Sequence, residues 1–421
     1  MGGELPSTIP QRRDFIRPLP AGPAGAAADR GGRPRWPAAD MRLLKSNCCS
    51  SLGRVRWANL GDHAAAPGRG PGGATLPLFE AGPVARTFDT PAFRGMTFHE
   101  VRARTIINRV PPASRMAFRW TINPYRGCSH ACTYCFARNT HTYLDLDAGL
   151  DFNYQIVVKV NAAELAGREL AAPRWQGEHV AMGTNVDCYQ RAEGRYRLMP
   201  GIIAALRDAA NPFSILTKGT LILRDLDLLA AAAEVTDVGL NVSVGCTETE
   251  LWRSVEPGTP SPRRRLEACA AITGRGLRCG VLMAPVLPFL TDSPGQLAAT
   301  VREIAAAGPA HVTPIVLHLR PGAREWYLRW LGEQHPRLVP RYRELYGTGA
   351  YAPRAYQRHI TEQVRQLAER HGVGRAGPAQ ARRLPRPGRA GAGTGGRATA
   401  IQPATARQPA TVSQDVQLSL L

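Results

Sequence analysis

The chain has 421 residues, enough for two or three domains, and contains no run of eighteen apolar residues, which excludes an ordinary membrane-spanning helix. No charged segment leads into an apolar core near the first residue, which argues against a signal peptide. Nine cysteines, an odd number, fit a reducing compartment better than a disulfide framework. We therefore expect a cytoplasmic protein with no membrane partner.

The formal net charge of +20 favours an anionic partner, although much of it lies at the two ends. Residues 1–54 hold eight arginines, one lysine and four acidic residues, a charge of +5. Residues 375–421 hold seven arginines and one aspartate, a charge of +6, so about +9 remains for the middle. This balance permits binding to nucleic-acid phosphates without establishing it.

Composition divides the chain into five segments. Residues 1–54 are rich in Pro, Gly, Ala and Arg and lack periodicity, which predicts a disordered segment or an upstream extension that the natural protein lacks. Residues 375–421 predict a disordered basic tail for the same reason. Between them we expect a lead-in segment at 55–110, an α/β domain at 111–335 and a C-terminal helical extension at 336–374.

The middle of the chain alternates short apolar runs with helical patterns, which is typical of βα units and a parallel sheet. The first predicted strand, Ala117–Asn123, leads into a cysteine-containing loop. Then follow a helix at Ala162–Ala171, a strand at Glu178–Thr184, a helix at Leu198–Ala209 and a strand at Phe213–Thr217. The strands are rich in Val, Ile and Leu, as expected when both faces are buried.

The same alternation continues to the sixth strand. Ser293 is predicted to cap one helix, with proline at its first position. Six βα units predict an α/β fold, a partial, three-quarter βα barrel of about six parallel strands with disordered N- and C-terminal segments. The remaining predicted elements alternate between helix and strand, in the order Asp225–Ala233, Val238–Val244, Pro262–Thr273, Cys279–Ala284, Pro294–Ala307 and Val312–Leu319.

Cys128, Cys132 and Cys135 lie within eight residues directly after the first predicted strand, and no fourth cysteine is nearby. Thiolates are the usual ligands of iron–sulfur clusters, and three ligands would leave one iron open for chemistry. A zinc site with His130 as the fourth ligand is the alternative. Zinc motifs usually consist of two separated ligand pairs, however, and the sequence has no second pair.

Polar residues also follow the next predicted strands. Gly183, Thr184 and Asn185 follow the second strand, Lys218 ends the third and Ser243 ends the fourth. Sites in βα barrels form where strands reach their carboxyl ends. We therefore expect these residues to face the cysteines, with Lys218 placed to bind a carboxylate and Ser243 to bind a hydroxyl group.

The cysteine spacing, with aromatic Tyr134 before the last cysteine, resembles that of the radical SAM superfamily. The resemblance implies a 4Fe–4S cluster whose open iron is chelated by S-adenosylmethionine. One electron, from a donor such as flavodoxin or ferredoxin, then yields a 5'-deoxyadenosyl radical. The resemblance also implies that residues 183–185 contact the amino group of the cofactor. We further expect Lys218 to bind the carboxylate of the cofactor and Ser243 to bind its ribose.

Longer runs between about residues 88 and 374 resemble the radical SAM group related to spore photoproduct lyase, often labelled "DNA repair photolyase". More narrowly, they resemble an actinobacterial subgroup whose reaction is not established. The resemblance implies a lyase-like enzyme that repairs or modifies DNA. It depends on Thr-Ile-Asn-Pro-Tyr-Arg-Gly-Cys at 121–128, Tyr-Gln-Arg-Ala-Glu at 189–193, Leu-Thr-Lys-Gly-Thr-Leu-Ile-Leu-Arg-Asp at 216–225 and Val-Glu-Pro-Gly-Thr-Pro-Ser-Pro-Arg-Arg-Arg-Leu at 255–266.

Two departures from spore photoproduct lyase bear on the substrate. That enzyme has a hydrogen-donating cysteine where this chain has Thr184, and Cys188 lies nearby as an alternative donor. It also has a second tyrosine where this chain has Phe136, so only Tyr134 of the two is kept. Tyr134 and Cys188 are the predicted catalytic residues. The substrate stays open between a nucleic acid and a peptide or small molecule, and a non-catalytic iron–sulfur accessory protein is the third possibility.

Two further features suggest contacts with nucleic acid or its machinery. His318 and Arg320 alternate at the end of the sixth predicted strand, where they could bind a phosphate or a base edge, or form a buried structural pair. The final residues, Gln417–Leu421, resemble the short peptides that dock on the bacterial sliding clamp. We therefore expect DNA and the sliding clamp among the partners.

Overall fold

The computed structural model describes residues 84–111, 114 and 116–374. The predicted disordered segments, residues 1–54 and 375–421, lie outside the described residues, and so does the predicted clamp peptide Gln417–Leu421.

The described residues form eleven strands and eleven α-helices. The strands are β1 (Val84–Thr87), β2 (Thr97–Val101), β3 (Ile107–Arg109), β4 (Trp120–Ile122), β5 (Tyr125–Arg126), β6 (Gln155–Lys159), β7 (Val180–Met182), β8 (Phe213–Thr217), β9 (Val238–Ser243), β10 (Cys279–Val286) and β11 (His311–Val316). The helices are α1 (Leu150–Tyr154), α2 (Ala162–Leu170), α3 (Arg191–Tyr196), α4 (Leu198–Asp208), α5 (Leu226–Val235), α6 (Thr249–Val255), α7 (Pro262–Gly274), α8 (Pro294–Ala306), α9 (Ala323–Gln334), α10 (Val339–Tyr346) and α11 (Arg354–Arg370).

The main sheet has the order β11-β10-β9-β8-β7-β4-β3. Its first six strands run parallel, and the short strand β3 pairs antiparallel with β4 at one edge. The six parallel strands coincide with the six predicted ones, so the predicted α/β fold is confirmed. Their carboxyl ends lie along one edge, where the loops that follow them meet.

The strands of the main sheet are buried because helices cover them. In β10, seven of eight residues are buried, as its almost continuous apolar sequence predicts. Helix α11 packs against both β11 and α8, and α4 packs against α2 and α5. At α8, Ser293 accepts a hydrogen bond from the backbone N–H of Gln296, which confirms the predicted cap.

A second, four-stranded sheet has the order β1-β2-β6-β5 and was not predicted. Its strand β5 consists of Tyr125 and Arg126, just before the first cysteine, and pairs antiparallel with β6. The cysteine loop is therefore anchored in both sheets, since β4 precedes it in the main sheet. None of the described helices is long and apolar enough to span a bilayer.

Candidate active site

All of the ten predicted site residues except Cys188 line one cavity at the carboxyl ends of the parallel strands. The loop after β5 supplies the three cysteines and Tyr134, while the segments after β7 and β8 and the last residue of β9 supply the rest. The predicted convergence of these residues, which are separated in sequence by more than one hundred positions, is therefore observed.

The cysteine loop is held by backbone groups on both sides. The Cys128 N–H donates to the Phe152 carbonyl at 2.9 Å, and the Thr133 N–H donates to the Val255 carbonyl at 2.9 Å. Gln190 forms a bridge, because its Nε2 donates to the Gly127 carbonyl and its Oε1 accepts from the Ser129 N–H, both at 2.9 Å. The loop geometry is thus fixed by its protein surroundings.

The three thiols are free, and none is part of a disulfide. Burial raises the pKa of Cys132 to about 12, and burial also raises the pKa values of Cys128 and Cys135. The thiols are therefore neutral at pH 7 in the protein alone. Metal binding would have to displace their protons, which makes it dependent on pH.

Asp187, in the loop after β7, contacts residues of the loops after β5 and β8. Its carboxylate accepts hydrogen bonds from the Thr217 hydroxyl and the Lys218 N–H, both at 2.6 Å, and from the Tyr189 N–H at 2.9 Å. His130 Nδ1 lies 3.3 Å from the same carboxylate. Burial alone would raise the pKa of Asp187, but His130 and these donors outweigh it and lower the pKa to about 2.

Lys218 and Ser243 contact each other inside the cavity. Lys218 Nζ donates to Ser243 Oγ at 2.9 Å, and this hydroxyl donates to the Ala284 carbonyl at 3.0 Å. The ammonium group also lies 5.7 Å from the centre of the Tyr134 ring. An ammonium group and a hydroxyl group thus lie together beside the cysteine loop. The ammonium group is suited to bind a ligand that carries a carboxylate.

Gly183 and Thr184 form the wall after β7. Gly183 has φ +82°, and a Cβ atom there would lie 1.8 Å from the Leu216 carbonyl oxygen, so only glycine fits. The Thr184 hydroxyl is buried and has no hydrogen-bond partner among the described residues. A buried polar group of this kind calls for a polar ligand in the cavity.

A buried network behind the cavity was missed in the sequence. The Tyr134 hydroxyl donates to the Glu256 carboxylate, which also accepts from Arg265 Nη2 at 2.5 Å. Arg265 Nη1 donates to the Ser243 carbonyl at 2.8 Å. On the same helix, the Arg263 side chain is 88% exposed, whereas the Arg265 side chain is 1% exposed. The helical spacing of Arg265 with buried Leu266, Cys269 and Ile272 was the available signal.

The comparisons with known proteins agree with this geometry. The family model of the radical SAM superfamily matches residues 122–301, which include all three cysteines. Uncharacterized proteins of Mycobacterium tuberculosis and Mycobacterium bovis are 49% identical over 317 residues, 75% of this chain and 93% of theirs. The chain belongs to the radical SAM superfamily.

More distant likenesses also exist. An uncharacterized protein of Methanocaldococcus jannaschii is 28% identical over 193 residues, 46% of this chain and 69% of that protein. A spore photoproduct lyase structure gives a TM-score of 0.49 at 17% identity, covering 65% of this chain and 78% of that one. Streptococcus suis SuiB bound to S-adenosylmethionine gives 0.39 at 14% identity, covering 61% and 50%. These two scores leave the substrate undecided.

Radical SAM enzymes use a 4Fe–4S cluster and S-adenosylmethionine, and the residues present fit both groups. Three free thiols share one cavity with an ammonium group and an unpartnered hydroxyl group. Among the described residues, no three His, Cys, Asp or Glu side chains converge on a single metal-ion position. His130, the fourth ligand of the alternative zinc site, has its Nδ1 atom 3.3 Å from the Asp187 carboxylate.

Cys188 differs from the other predicted site residues. Its thiol is fully buried, and the residue is not among those that line the cavity. Burial, together with nearby Asp187 and Glu193, raises its pKa well above the usual value. Its predicted role as a hydrogen donor stays a prediction that the cavity geometry does not favour. His318 does line the cavity, and Arg320 lies over the Phe136 ring at 5.1 Å.

Proposed function

We propose that this radical SAM enzyme holds a 4Fe–4S cluster on Cys128, Cys132 and Cys135 and acts on DNA, which it repairs or modifies. The observation that carries the proposal is the single cavity that brings the three thiols together with Lys218 and Ser243. S-adenosylmethionine bound there would supply the radical chemistry of the reaction once it is reduced. The chain supplies binding and orientation.

The side chains divide this task by their chemistry. The Lys218 ammonium group would hold the cofactor carboxylate, and Ser243 Oγ, 2.9 Å from Lys218 Nζ, would accept a hydrogen bond from a cofactor hydroxyl. The Thr184 hydroxyl would gain the partner that it lacks among the described residues. Tyr134 stays in place because its hydroxyl donates a hydrogen bond to the Glu256 carboxylate. Precise placement matters, since hydrogen abstraction needs reacting atoms a few Å apart.

DNA is the proposed substrate for two reasons. The runs at 121–128, 189–193, 216–225 and 255–266 resemble the group related to spore photoproduct lyase. The middle of the chain is also basic, with a charge of about +9 when +5 and +6 at the ends are taken from +20. A base inside a duplex is inaccessible, so the target would be flipped out or single-stranded.

Anaerobic reconstitution with iron and sulfide tests this proposal. We expect a brown protein that binds four irons and four sulfides and releases 5'-deoxyadenosine from S-adenosylmethionine with dithionite. Replacing all three cysteines by alanine should abolish both properties, while Cys269→Ala, a buried cysteine on α7, should keep them. A triple variant that still binds the cluster and cleaves the cofactor would refute the proposal.

Substrate class is tested with the reconstituted enzyme. Release of 5'-deoxyadenosine is compared with ultraviolet-damaged DNA, undamaged DNA, a peptide mixture and a small-molecule extract. Stimulation by DNA alone supports the proposal, whereas stimulation by either other mixture would replace DNA as the substrate class. A cluster-containing protein that never cleaves the cofactor would instead be an iron–sulfur accessory protein. Flavodoxin or ferredoxin should replace dithionite as the electron donor.

A further inference from the structure

At the mouth of the cavity, an exposed aromatic ring lies beside two cationic or polar side chains. The Tyr351 ring centre lies 4.6 Å from that of His318, and Arg320 Nη2 donates to the Tyr351 hydroxyl at 3.3 Å. We name His318, Arg320 and Tyr351 the mouth cluster. His318 lines the cavity, whereas Tyr351 is 49% exposed, so the cluster leads from solvent to the site.

The mouth cluster is close to the cysteine loop. Arg320 lies over the ring of Phe136 at 5.1 Å, and Phe136 directly follows Cys135 and lines the same cavity. A group held between Tyr351 and Arg320 would therefore extend toward the cavity where the reaction is proposed. The contact with the Phe136 ring helps to hold the Arg320 guanidinium group at the mouth of the cavity.

Tyr351 is held in this position by its backbone. It lies in the loop between α10 and α11 and forms an antiparallel bridge with His318. The Leu319 N–H donates to the Ala350 carbonyl at 2.8 Å, and Arg324 donates to the Gly347 and Gly349 carbonyls at 2.5 and 2.9 Å. An exposed ring on a fixed loop loses little entropy when a ligand stacks on it.

The charge of the chain segment that carries the mouth cluster indicates the kind of ligand. Residues 318–359 contain eight arginines and three glutamates and no aspartate or lysine, a net charge of +5. Proteins that bind single-stranded nucleic acid combine positively charged side chains with aromatic side chains on which bases stack. An acidic peptide would use the charge but would leave the exposed ring without a role.

We propose that the mouth cluster binds one unstacked nucleotide of single-stranded or flipped-out DNA, with the base on Tyr351 and the adjoining phosphate at Arg320. This inference rests on the proposed function, since it adds the substrate contacts of the same site. His318, on the cavity side, would contact the sugar or base edge of the nucleotide that enters. The sequence alone does not indicate Tyr351, because it lies 31 positions after Arg320 in the chain.

Binding of a fluorescein-labelled, single-stranded oligodeoxynucleotide to the full chain, followed by anisotropy, tests the inference. Tyr351→Leu should weaken binding about tenfold through the lost stacking and leave the salt dependence unchanged. Arg320→Gln should weaken binding and lower the slope of log K against log salt by about 0.7, the value for one phosphate on a single strand. Tyr351→Phe should bind as the wild type does, because it keeps the ring.

Matched controls are available on other surfaces. Tyr154→Ala removes a tyrosine that is 44% exposed on α1, and Arg263→Gln removes an arginine whose side chain is 88% exposed on α7. Both controls should keep wild-type affinity. Equal losses in controls and mouth variants, or wild-type affinity in Tyr351→Leu, would overturn the inference. So would binding of polyglutamate as tightly as the oligonucleotide, which would indicate a plain anion site.

Photo-crosslinking gives a second readout that does not depend on affinity. An oligonucleotide with one 5-iodouracil should crosslink to a peptide that contains Tyr351, because stacked aromatic rings react with this base. Crosslinks confined to residues outside 318–351 would overturn the inference. Cofactor cleavage by the wild-type protein without DNA is measured separately, so failure of the proposed radical chemistry is distinguishable from failure of the nucleotide site.

Discussion

At the scale of single residues, Gly183 is the position where the cavity wall tolerates least change. Its φ of +82° and the Leu216 carbonyl, 1.8 Å from a hypothetical Cβ, both oppose a side chain. We expect Gly183→Ala to destabilise the protein by more than about 2 kcal/mol and to weaken binding of S-adenosylmethionine. Urea unfolding and cofactor binding under anaerobic conditions measure the two effects.

Gly167 provides the matched control for this substitution. It lies inside α2, and a Cβ atom there would meet nothing within 4 Å. Gly167→Ala should therefore stabilise the fold by about 0.5–1 kcal/mol, since alanine favours the helix. If both variants had the same stability, the close approach to the Leu216 carbonyl would not be what excludes a side chain at position 183.

Arg265 and Glu256 form the buried ion pair that supports Tyr134 and Ser243. Their side chains are 1% and 6% exposed, so removal of Arg265 leaves a buried carboxylate without its main partner. We expect Arg265→Met to destabilise the protein by about 3–5 kcal/mol. Arg263 lies two residues before Arg265 on α7 and forms an exposed ion pair with Glu267. Arg263→Met should lower the unfolding free energy by only about 0–1 kcal/mol.

The loss in Arg265→Met should depend on pH. In the wild type, burial would raise the pKa of Glu256, but Arg265 and Lys218 outweigh it and lower the pKa below 4.5. The ionised carboxylate therefore stabilises the fold above pH 4.5, and this contribution is lost as the pH falls below that value. In Arg265→Met the ionised Glu256 carboxylate is buried without this partner and destabilises the fold, and protonation relieves that cost. The difference in unfolding free energy between the wild type and the variant should therefore shrink as the pH falls from 7 towards 4.5. A constant difference would contradict this account.

At the scale of elements, the cap of α8 is the clearest local signal that the structure confirms. Ser293 Oγ accepts from the Gln296 N–H at 3.3 Å, and Gln296 in turn accepts from Ser293. Ser293→Ala should lower the unfolding free energy by about 1 kcal/mol, whereas Ser293→Asp should keep most of it. Equal losses in both variants would mean that the side-chain cap does not stabilise α8.

The six parallel strands of the main sheet were predictable because each lies in a short, mostly apolar run, whereas β3, with the sequence Ile-Asn-Arg, was not. The second sheet was not, since β5 has two residues and pairs with β6 across the cysteine loop. The mouth cluster and the Arg265–Glu256 pair depend on contacts between separate elements. These side chains meet only through tertiary packing, and the local hydrophobic periodicity of a sequence does not indicate such contacts.

At the scale of the whole molecule, charge is distributed over three parts of the chain. The described residues carry the cavity, while residues 375–421 add +6 and end in the predicted clamp peptide Gln417–Leu421. Phosphate contacts from both parts would add to the salt dependence of DNA binding. The last five residues carry no charged side chain. Deletion can therefore remove the predicted clamp peptide without changing the side-chain charge of the tail.

Two deletions distinguish electrostatic tethering from clamp docking. Deletion of residues 375–421 removes a charge of +6 and should lower both the DNA affinity and the slope of log K against log salt. Deletion of 417–421 alone should leave both quantities unchanged and abolish binding to the purified sliding clamp, because docking needs the leucines of this peptide. Gel filtration with the clamp and anisotropy with DNA measure these effects. Unaltered clamp binding after the short deletion would refute the docking prediction, and an unaltered salt slope after the long one would place all DNA contacts before residue 375.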